Sequence, residues 1–258
     1  MLCSDQPFQV FAKPVGARCN LSCTYCYYLS TQTLAGQGAA ACMSDTLLER
    51  YICPHIELCK DSVIQFSWHG GEPTLFGLEG FRRIVALQKK HCPEGRRIVN
   101  GIQTNGTLLD EAWCEFLAQE GFAVGLSLDG PGVFHDQHRV TAKGQPTCGE
   151  VLDAYERLQT HGIATEILCV VNAFNAGHAT EVYDFFRQLD VKFLTFLPLV
   201  EPVLGGGVSD RTVPAEAWGE FLCTIFDLWQ ARDIGRIKVQ IFEEALRAAF
   251  GLEHSLCI

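Results

Sequence analysis

Cys19, Cys23 and Cys26 stand in the segment Arg18-Cys19-Asn20-Leu21-Ser22-Cys23-Thr24-Tyr25-Cys26, a Cys-x-x-x-Cys-x-x-Cys spacing. Three thiolates in one short loop can ligate three irons of a [4Fe–4S] cluster. A cluster held wholly by protein takes four cysteines, and a structural zinc site closes its tetrahedron with four ligands. Three thiolates and one open position therefore describe a reactive centre rather than a staple, because the fourth iron is left for a small molecule. Two plainer readings stand beside it. One is zinc with a distant fourth ligand such as Cys42. The other is three unconnected thiols, since free cysteine is often a small core hydrophobe.

Further polar motifs follow at intervals. His69-Gly70-Gly71-Glu72-Pro73 comes about forty residues after the cysteine loop, directly behind the apolar run Val63 to Trp68. Two glycines let a backbone approach a ligand closely; alone, the pair is a tight strand-to-helix turn. Gln103-Thr104-Asn105-Gly106-Thr107 and Ser127-Leu128-Asp129-Gly130-Pro131 each end another apolar run, and Arg139 lies in the next loop. Hydroxyl and guanidinium groups suit a ribose and a carboxylate. Taken singly, Ser127 reads as a turn hydroxyl and Arg139 as a surface ion pair. His135 and His138 carry no assigned role. Gly205-Gly206-Gly207 reads as a flexible loop, because no Lys-Ser/Thr follows to make it a phosphate cradle.

Strands and helices in alternation must position these groups. Strands are expected at Phe8 to Ala12, Val63 to Trp68, Ile98 to Thr104, Phe122 to Leu128, Ile163 to Val171 and Val191 to Leu197. Between them, helical spacing is carried by Leu47, Leu48, Tyr51 and Ile52 behind a Ser44 cap, with Pro54 as the expected stop. It recurs at Phe81, Ile84 and Val85; at Trp113, Phe116 and Leu117 up to Gly121; at Val151 to Leu158 up to Gly162; and at Val182 to Leu189. A strongly apolar helix follows Pro214, then a short strand at Lys238 to Phe242 and a last helix at Glu243 to Phe250. Such alternation implies parallel pairing through right-handed crossovers. The expected fold is α/β, a partial, open (β/α)6 version of the eight-fold barrel. In parallel α/β folds ligands gather at the carboxyl ends of the strands, where these motifs fall.

The 258 residues suffice for a sizeable core, and 48% hydrophobic against 19% charged residues describe a globular chain. A net charge of −10 argues against a nucleic-acid footprint. No apolar run reaches the length of a membrane span, and no basic start leads into an apolar leader. The 13 cysteines do not follow the pattern of a secreted disulfide scaffold. Cys114, Cys169 and Cys223 lie in apolar patterns and are expected as reduced core thiols. A cytoplasmic, oxygen-poor setting suits both groups of cysteines.

The cysteine spacing resembles the radical S-adenosylmethionine (SAM) superfamily. The blocks Lys13-Pro14, Cys26-Tyr27-Tyr28, Trp68-His69-Gly70-Gly71-Glu72-Pro73-Thr74, Gln103 to Thr107 and Gly125 to Pro131 resemble, within it, the anaerobic sulfatase-maturating enzymes. The resemblance runs from about Phe8 to the last residues. It implies a [4Fe–4S] cluster on Cys19, Cys23 and Cys26, with SAM chelating the open iron. It places SAM against the backbone of Tyr25, against Gly70, Gly71 and Glu72, and against Ser127, Arg139 and Val200, with Gln103 facing a peptide substrate. It implies reductive cleavage of SAM to a 5′-deoxyadenosyl radical, which oxidises a cysteine or serine of a sulfatase Cys/Ser-x-Pro-x-Arg segment to Cα-formylglycine. It also implies an electron donor of flavodoxin or ferredoxin type.

By the same resemblance, residues 1–213 form the radical SAM core, and 214–258 a helical linker and the start of a cysteine-rich (SPASM) extension. In the family that extension holds two auxiliary [4Fe–4S] clusters and an aspartate base. Cys257 aligns with its first cysteine, one residue before the last of the sequence, so the base is expected beyond Ile258 and the reaction is expected to be incomplete in this chain. Two alternatives remain: another SPASM-type radical SAM peptide modifier, or a non-catalytic iron–sulfur- or zinc-binding fragment.

Overall fold

The computed structural model describes residues 10–28, 42–203 and 205–253. Cys257, and Phe8 and Gln9 of the first expected strand, lie outside the described residues. Seven strands follow chain order in a sheet: β1 (Phe11–Ala12), β2 (Val63–Trp68), β3 (Arg97–Thr104), β4 (Ala123–Ser127), β5 (Thr165–Val171), β6 (Phe193–Pro198) and β7 (Lys238–Val239). β1 with β2, β2 with β3, β5 with β6 and β6 with β7 pair in parallel. Helices α1 (Asp45–Leu58), α2 (Leu78–His91), α3 (Glu111–Gln119), α4 (Gly132–His135), α5 (Cys148–Thr160), α6 (Ala179–Gln188), α7 (Ala215–Arg232) and α8 (Gln240–Ala249) lie between or after the strands. The α/β class and open partial-barrel order expected from the alternation are those observed.

The chain forms two compact units. The first comprises Met1–Ser22, Cys26–Gly125 and Leu152–Ala164; the second comprises Cys23–Tyr25, Leu126–Val151 and Thr165–Ile258.

In the first unit, Leu48, Ile52 and Ile56 of α1 are buried, as are Ile64, Phe66 and Trp68 of β2. Their spacings are those of a helical stripe and of one strand face. Phe81 meets Trp68 and Trp113 edge-on at 6.0 and 5.2 Å, the arrangement that the ring quadrupole favours. A polar network is sealed among these rings. Trp68 Nε1 donates to Asn100 Oδ1 (2.9 Å), and Asn100 and Gln88 exchange two hydrogen bonds of 2.8 and 2.9 Å.

Two helices depart from expectation here and in the second unit. Pro54 does not stop α1, which runs four residues further with Pro54 inside it. Burial of His55 and Ile56 beyond the proline holds that last turn, so tertiary packing outweighs the missing N–H. The strand expected at Lys238 to Phe242 is only β7, and α8 begins at Gln240. The helical turn brings Phe242 against Phe226 and Trp229 at 5.2 and 5.4 Å.

In the second unit, Leu126 and Leu128, Ile167, Cys169 and Val171 of β5, and Val182, Tyr183 and Phe186 of α6 are buried with Phe221, Ile225 and Trp229 of α7. Tyr183 donates to Asp233 (3.1 Å) and Trp229 Nε1 to the Ile237 carbonyl (2.7 Å). Cys114 and Cys169 are core thiols as expected, but Cys223 is exposed. The buried stripe of α7 runs at i, i+4 and i+8 from Phe221, and Cys223 sits two residues, over half a turn, from it.

Asn100→Ala should leave both the Trp68 indole and the Gln88 amide without partners. We expect a loss of about 2 kcal/mol, measured as a lower urea midpoint at unchanged m.

Candidate functional site

In the first unit, the segment that leads to Cys19 has no regular structure and takes its shape from the turn after β2. Gly71 N donates to the Gly16 carbonyl (2.9 Å) and Glu72 N to that of Arg18 (2.8 Å). The two backbones pass so closely that a Cβ on Gly71 would lie 2.2 Å from the Arg18 oxygen and 2.4 Å from that of Ala17. At Gly70, with φ +127, a Cβ would lie 2.7 Å from the Gly16 oxygen. The close approach that the glycine pair permits is thus to the chain's own cysteine segment.

Glu72 is wholly buried. Its Oε1 accepts from Thr74 N (3.0 Å), Thr74 Oγ1 (2.7 Å) and Thr104 Oγ1 (2.7 Å), and its Oε2 from Asn105 N (2.7 Å). Burial pushes its carboxyl above the usual glutamate value, and these hydrogen bonds pull it part of the way back. The carboxylate thereby ties the end of β2 to the end of β3. Beside it, Asn105 Nδ2 donates to Asn20 Oδ1 (3.0 Å) and reaches Cys19 Sγ at 3.7 Å. Thr107 Oγ1 donates to Asn105 Oδ1 and accepts from Asn20 Nδ2, both at 2.8 Å.

Cys19 is half-buried, and Leu21 N also donates to its sulfur, at 3.4 Å. Burial pushes the Cys19 thiol up, and the negative charges of Glu72 and Cys26 add to this. Gln103 is half-buried, two residues before Asn105. Cys42 is exposed and accepts from Arg18 Nη2 at 3.4 Å.

In the second unit, Cys23 is half-buried and precedes two residues held by the segment that follows β4. Thr24 N donates to the His138 carbonyl (2.9 Å), and Thr24 Oγ1 pairs with His138 Nδ1 (2.7 Å). The Tyr25 hydroxyl donates to Asp129 Oδ2. Asp129, fully buried, also accepts from Arg139 Nε (2.9 Å), Arg139 Nη2 (3.1 Å) and Val170 N (2.9 Å). Arg139 is therefore in a buried ion pair, not the surface pair that the residue taken singly suggests. Burial would raise the Asp129 carboxyl, but the guanidinium prevails and holds it below the usual aspartate value. Burial, with the Asp129 charge, pushes the Tyr25 phenol well up.

His135 orders the same segment. Asp129 N donates to His135 Nδ1 (3.3 Å), so Nδ1 is the bare nitrogen and Nε2 carries the proton toward Thr147 Oγ1 (3.1 Å), which donates in turn to the Arg139 carbonyl (2.7 Å). Burial lowers the His135 pKa to about 4. Ser127 is half-buried at the end of β4, and Val200, after β6, is 64% exposed.

The donor set fits an iron–sulfur centre: three cysteines outside any disulfide, none sealed and none fully exposed. Among the described residues no three His, Cys, Asp or Glu side chains are gathered as for one metal ion; a cubane places each thiolate on a separate iron. Asp129 and Asn105 were within the motifs read from the sequence but not singled out. Their signal was an Asp or Asn directly after an apolar strand, which has to find donors or acceptors once buried.

Residues 14–186 match the family model of the radical SAM superfamily. The serine-type anaerobic sulfatase-maturating enzyme of Bacteroides thetaiotaomicron is 39% identical over 98% of this chain and 64% of its own length. The cysteine-type enzyme of Clostridium perfringens is 34% identical over 97% of this chain and 68% of its own. The chain thus spans less than two thirds of the Bacteroides relative. A solved structure of native anSMEcpe with bound AdoMet superposes with a TM-score of 0.87 at 34% identity, over 94% of this chain and 67% of that one. The same protein with AdoMet and the Cp18Cys peptide gives 0.88 over 97% and 68%. No helix among the described residues is long and apolar enough to cross a membrane.

Two outcomes are expected from these contacts. Glu72→Gln keeps the shape but turns an amide N–H toward one of four donors, so stability should fall by about 1–3 kcal/mol in urea unfolding. His135 is depressed from 6.5 to about 4, so the unfolded chain binds the extra proton between those values. Its contribution is complete above pH 6.5 and is lost as pH falls toward about 4. The stability gap between wild type and His135→Gln should narrow over that window.

Proposed function

This chain belongs to the radical SAM superfamily and, within it, to the anaerobic sulfatase-maturating enzymes, and from that premise we propose that it carries the radical-generating part of a sulfatase maturase. Its cofactors are a [4Fe–4S] cluster and SAM. Bound, they supply an electron and the abstraction of hydrogen from an unactivated carbon. The chain's own residues hold and orient that pair. Cys19, Cys23 and Cys26 are the ligands, and Asn20, Asn105 and Thr107 fix the Cys19 end of their loop through neutral hydrogen bonds. Gly70 and Gly71 let the turn after β2 lie on the cysteine segment, leaving it to define one wall for SAM. Tyr25, Glu72, Ser127, Arg139 and Val200 are assigned to the SAM environment and Gln103 to the peptide.

The substrate in this reading is a cysteine or serine in a Cys/Ser-x-Pro-x-Arg segment of a sulfatase, oxidised to Cα-formylglycine. The reductant is a flavodoxin- or ferredoxin-type protein. The observation that carries the proposal is the Cys-x-x-x-Cys-x-x-Cys trio of half-buried cysteines, Cys19, Cys23 and Cys26, outside any disulfide on a chain 39% identical to a serine-type maturase.

The test is anaerobic reconstitution with iron and sulfide, then reductant, SAM and a Cys/Ser-x-Pro-x-Arg peptide. We expect 5′-deoxyadenosine to form, and single Cys→Ala changes at 19, 23 or 26 to abolish both its formation and the brown absorption. A reconstituted protein that binds iron and never cleaves SAM would overturn the proposal.

A further inference from the structure

Asp129 is a buried charge that the proposed chemistry does not use. An ionised carboxylate has about four acceptor sites, and Tyr25, Arg139 twice and Val170 N occupy all of them. It has no capacity left for a ligand, so any part it plays passes through its partners. One of those partners, Tyr25, lies between Cys23 and Cys26. The Arg139 guanidinium lies 5.5 Å from the Tyr25 ring centroid, so carboxylate, cation and ring form one packed set. Thr24 is pinned beside it by His138, through both backbone and side chain. Two consecutive residues of the thiol loop are thus fixed by the segment from Asp129 to Arg139, and the direction in which Cys23 presents its sulfur is fixed with them.

We infer that Asp129 is a positioning residue for the cluster: its hydrogen bond to the Tyr25 hydroxyl locks the Cys23–Cys26 stretch in its ligating shape and holds the Arg139 charge at a set place beside it. The inference rests on the radical SAM reading above. Loss of the lock leaves the three thiols present but allows the loop to move, which speeds iron release and changes the electronic surroundings of the iron.

The experiment uses the reconstituted full chain and compares wild type with Tyr25→Phe, Asp129→Asn and Tyr183→Phe. The last removes a buried tyrosine-to-aspartate hydrogen bond of the same unit, Tyr183 to Asp233, outside the loop. Iron release to a chelator and the EPR spectrum of the reduced cluster are recorded, with urea unfolding alongside. Release should be about tenfold faster in Tyr25→Phe and Asp129→Asn, with shifted EPR g values, as for loss of one charge-assisted hydrogen bond. Tyr183→Phe should lower the urea midpoint and leave both cluster readouts at wild-type values. Wild-type release and spectrum in Tyr25→Phe would overturn the inference, and so would equally fast release in Tyr183→Phe. If Asp129→Asn does not fold, Tyr25→Phe decides alone. A wild type that forms no [4Fe–4S] cluster removes the radical SAM reading itself and the inference with it, which the absorption spectrum shows before any variant is compared.

Discussion

Taking a carboxylate out of water costs several kilocalories per mole unless donors replace the lost hydration, and this chain buries two at the ends of its strands. Glu72 and Asp129 are each fully enclosed, and each gathers four hydrogen bonds, at least two of them from segments distant in sequence. Glu72 draws in Thr74, Thr104 and the Asn105 backbone; Asp129 draws in Tyr25, Arg139 and the Val170 backbone. The requirement that a buried anion be satisfied thus builds the loops. Each carboxylate fixes one end of the thiol segment in its own unit, Glu72 through Asn105 toward Cys19 and Asp129 through Tyr25 beside Cys23.

The two anions are satisfied differently, and the difference shows in their proton affinity. Glu72 has only neutral donors, so burial prevails and its carboxyl rises. Asp129 faces a guanidinium, so its carboxyl falls. A lysine at 139 would bring a point charge but not the planar fork that meets both oxygens at once. The fork still leaves about three of five N–H donors unspent on Asp129.

Much of this was legible before any coordinates. The strand and helix alternation follows from periodicity, and Ser44 caps the helix it precedes. The cysteine spacing and the motifs at strand ends pointed to the chemistry. What escaped was whatever depends on a partner far along the chain. Pro54 is a stop by local rules and is overruled by the burial of Ile56. Cys223 sits in an apolar run, but a run carries no face until the helix has a side to pack. The Gly-Gly turn read as room for a ligand, whereas its immediate cause is the backbone of residues 16–18, invisible in a one-dimensional pattern. Asp129 was inside a recognised block, yet nothing local says that its donors are Tyr25 and Arg139.

The charges around the thiols bear on what kind of cysteines these are. A nucleophilic cysteine needs an electropositive surrounding that lowers its pKa. Cys19 has the opposite: burial raises it, the charges of Glu72 and Cys26 raise it further, and its hydrogen-bond donors, Leu21 N and Asn105, are neutral. In the second unit the nearby cation is Arg139, whose charge Asp129 already matches. The Arg139 charge still acts on Cys23, whereas at Cys19 burial prevails over the two neutral donors that lower its pKa. A thiol so placed is a poor nucleophile and loses its proton readily only to a metal that takes its place. Burial and the charges of Glu72 and Cys26 thus argue against a covalent catalytic role for Cys19.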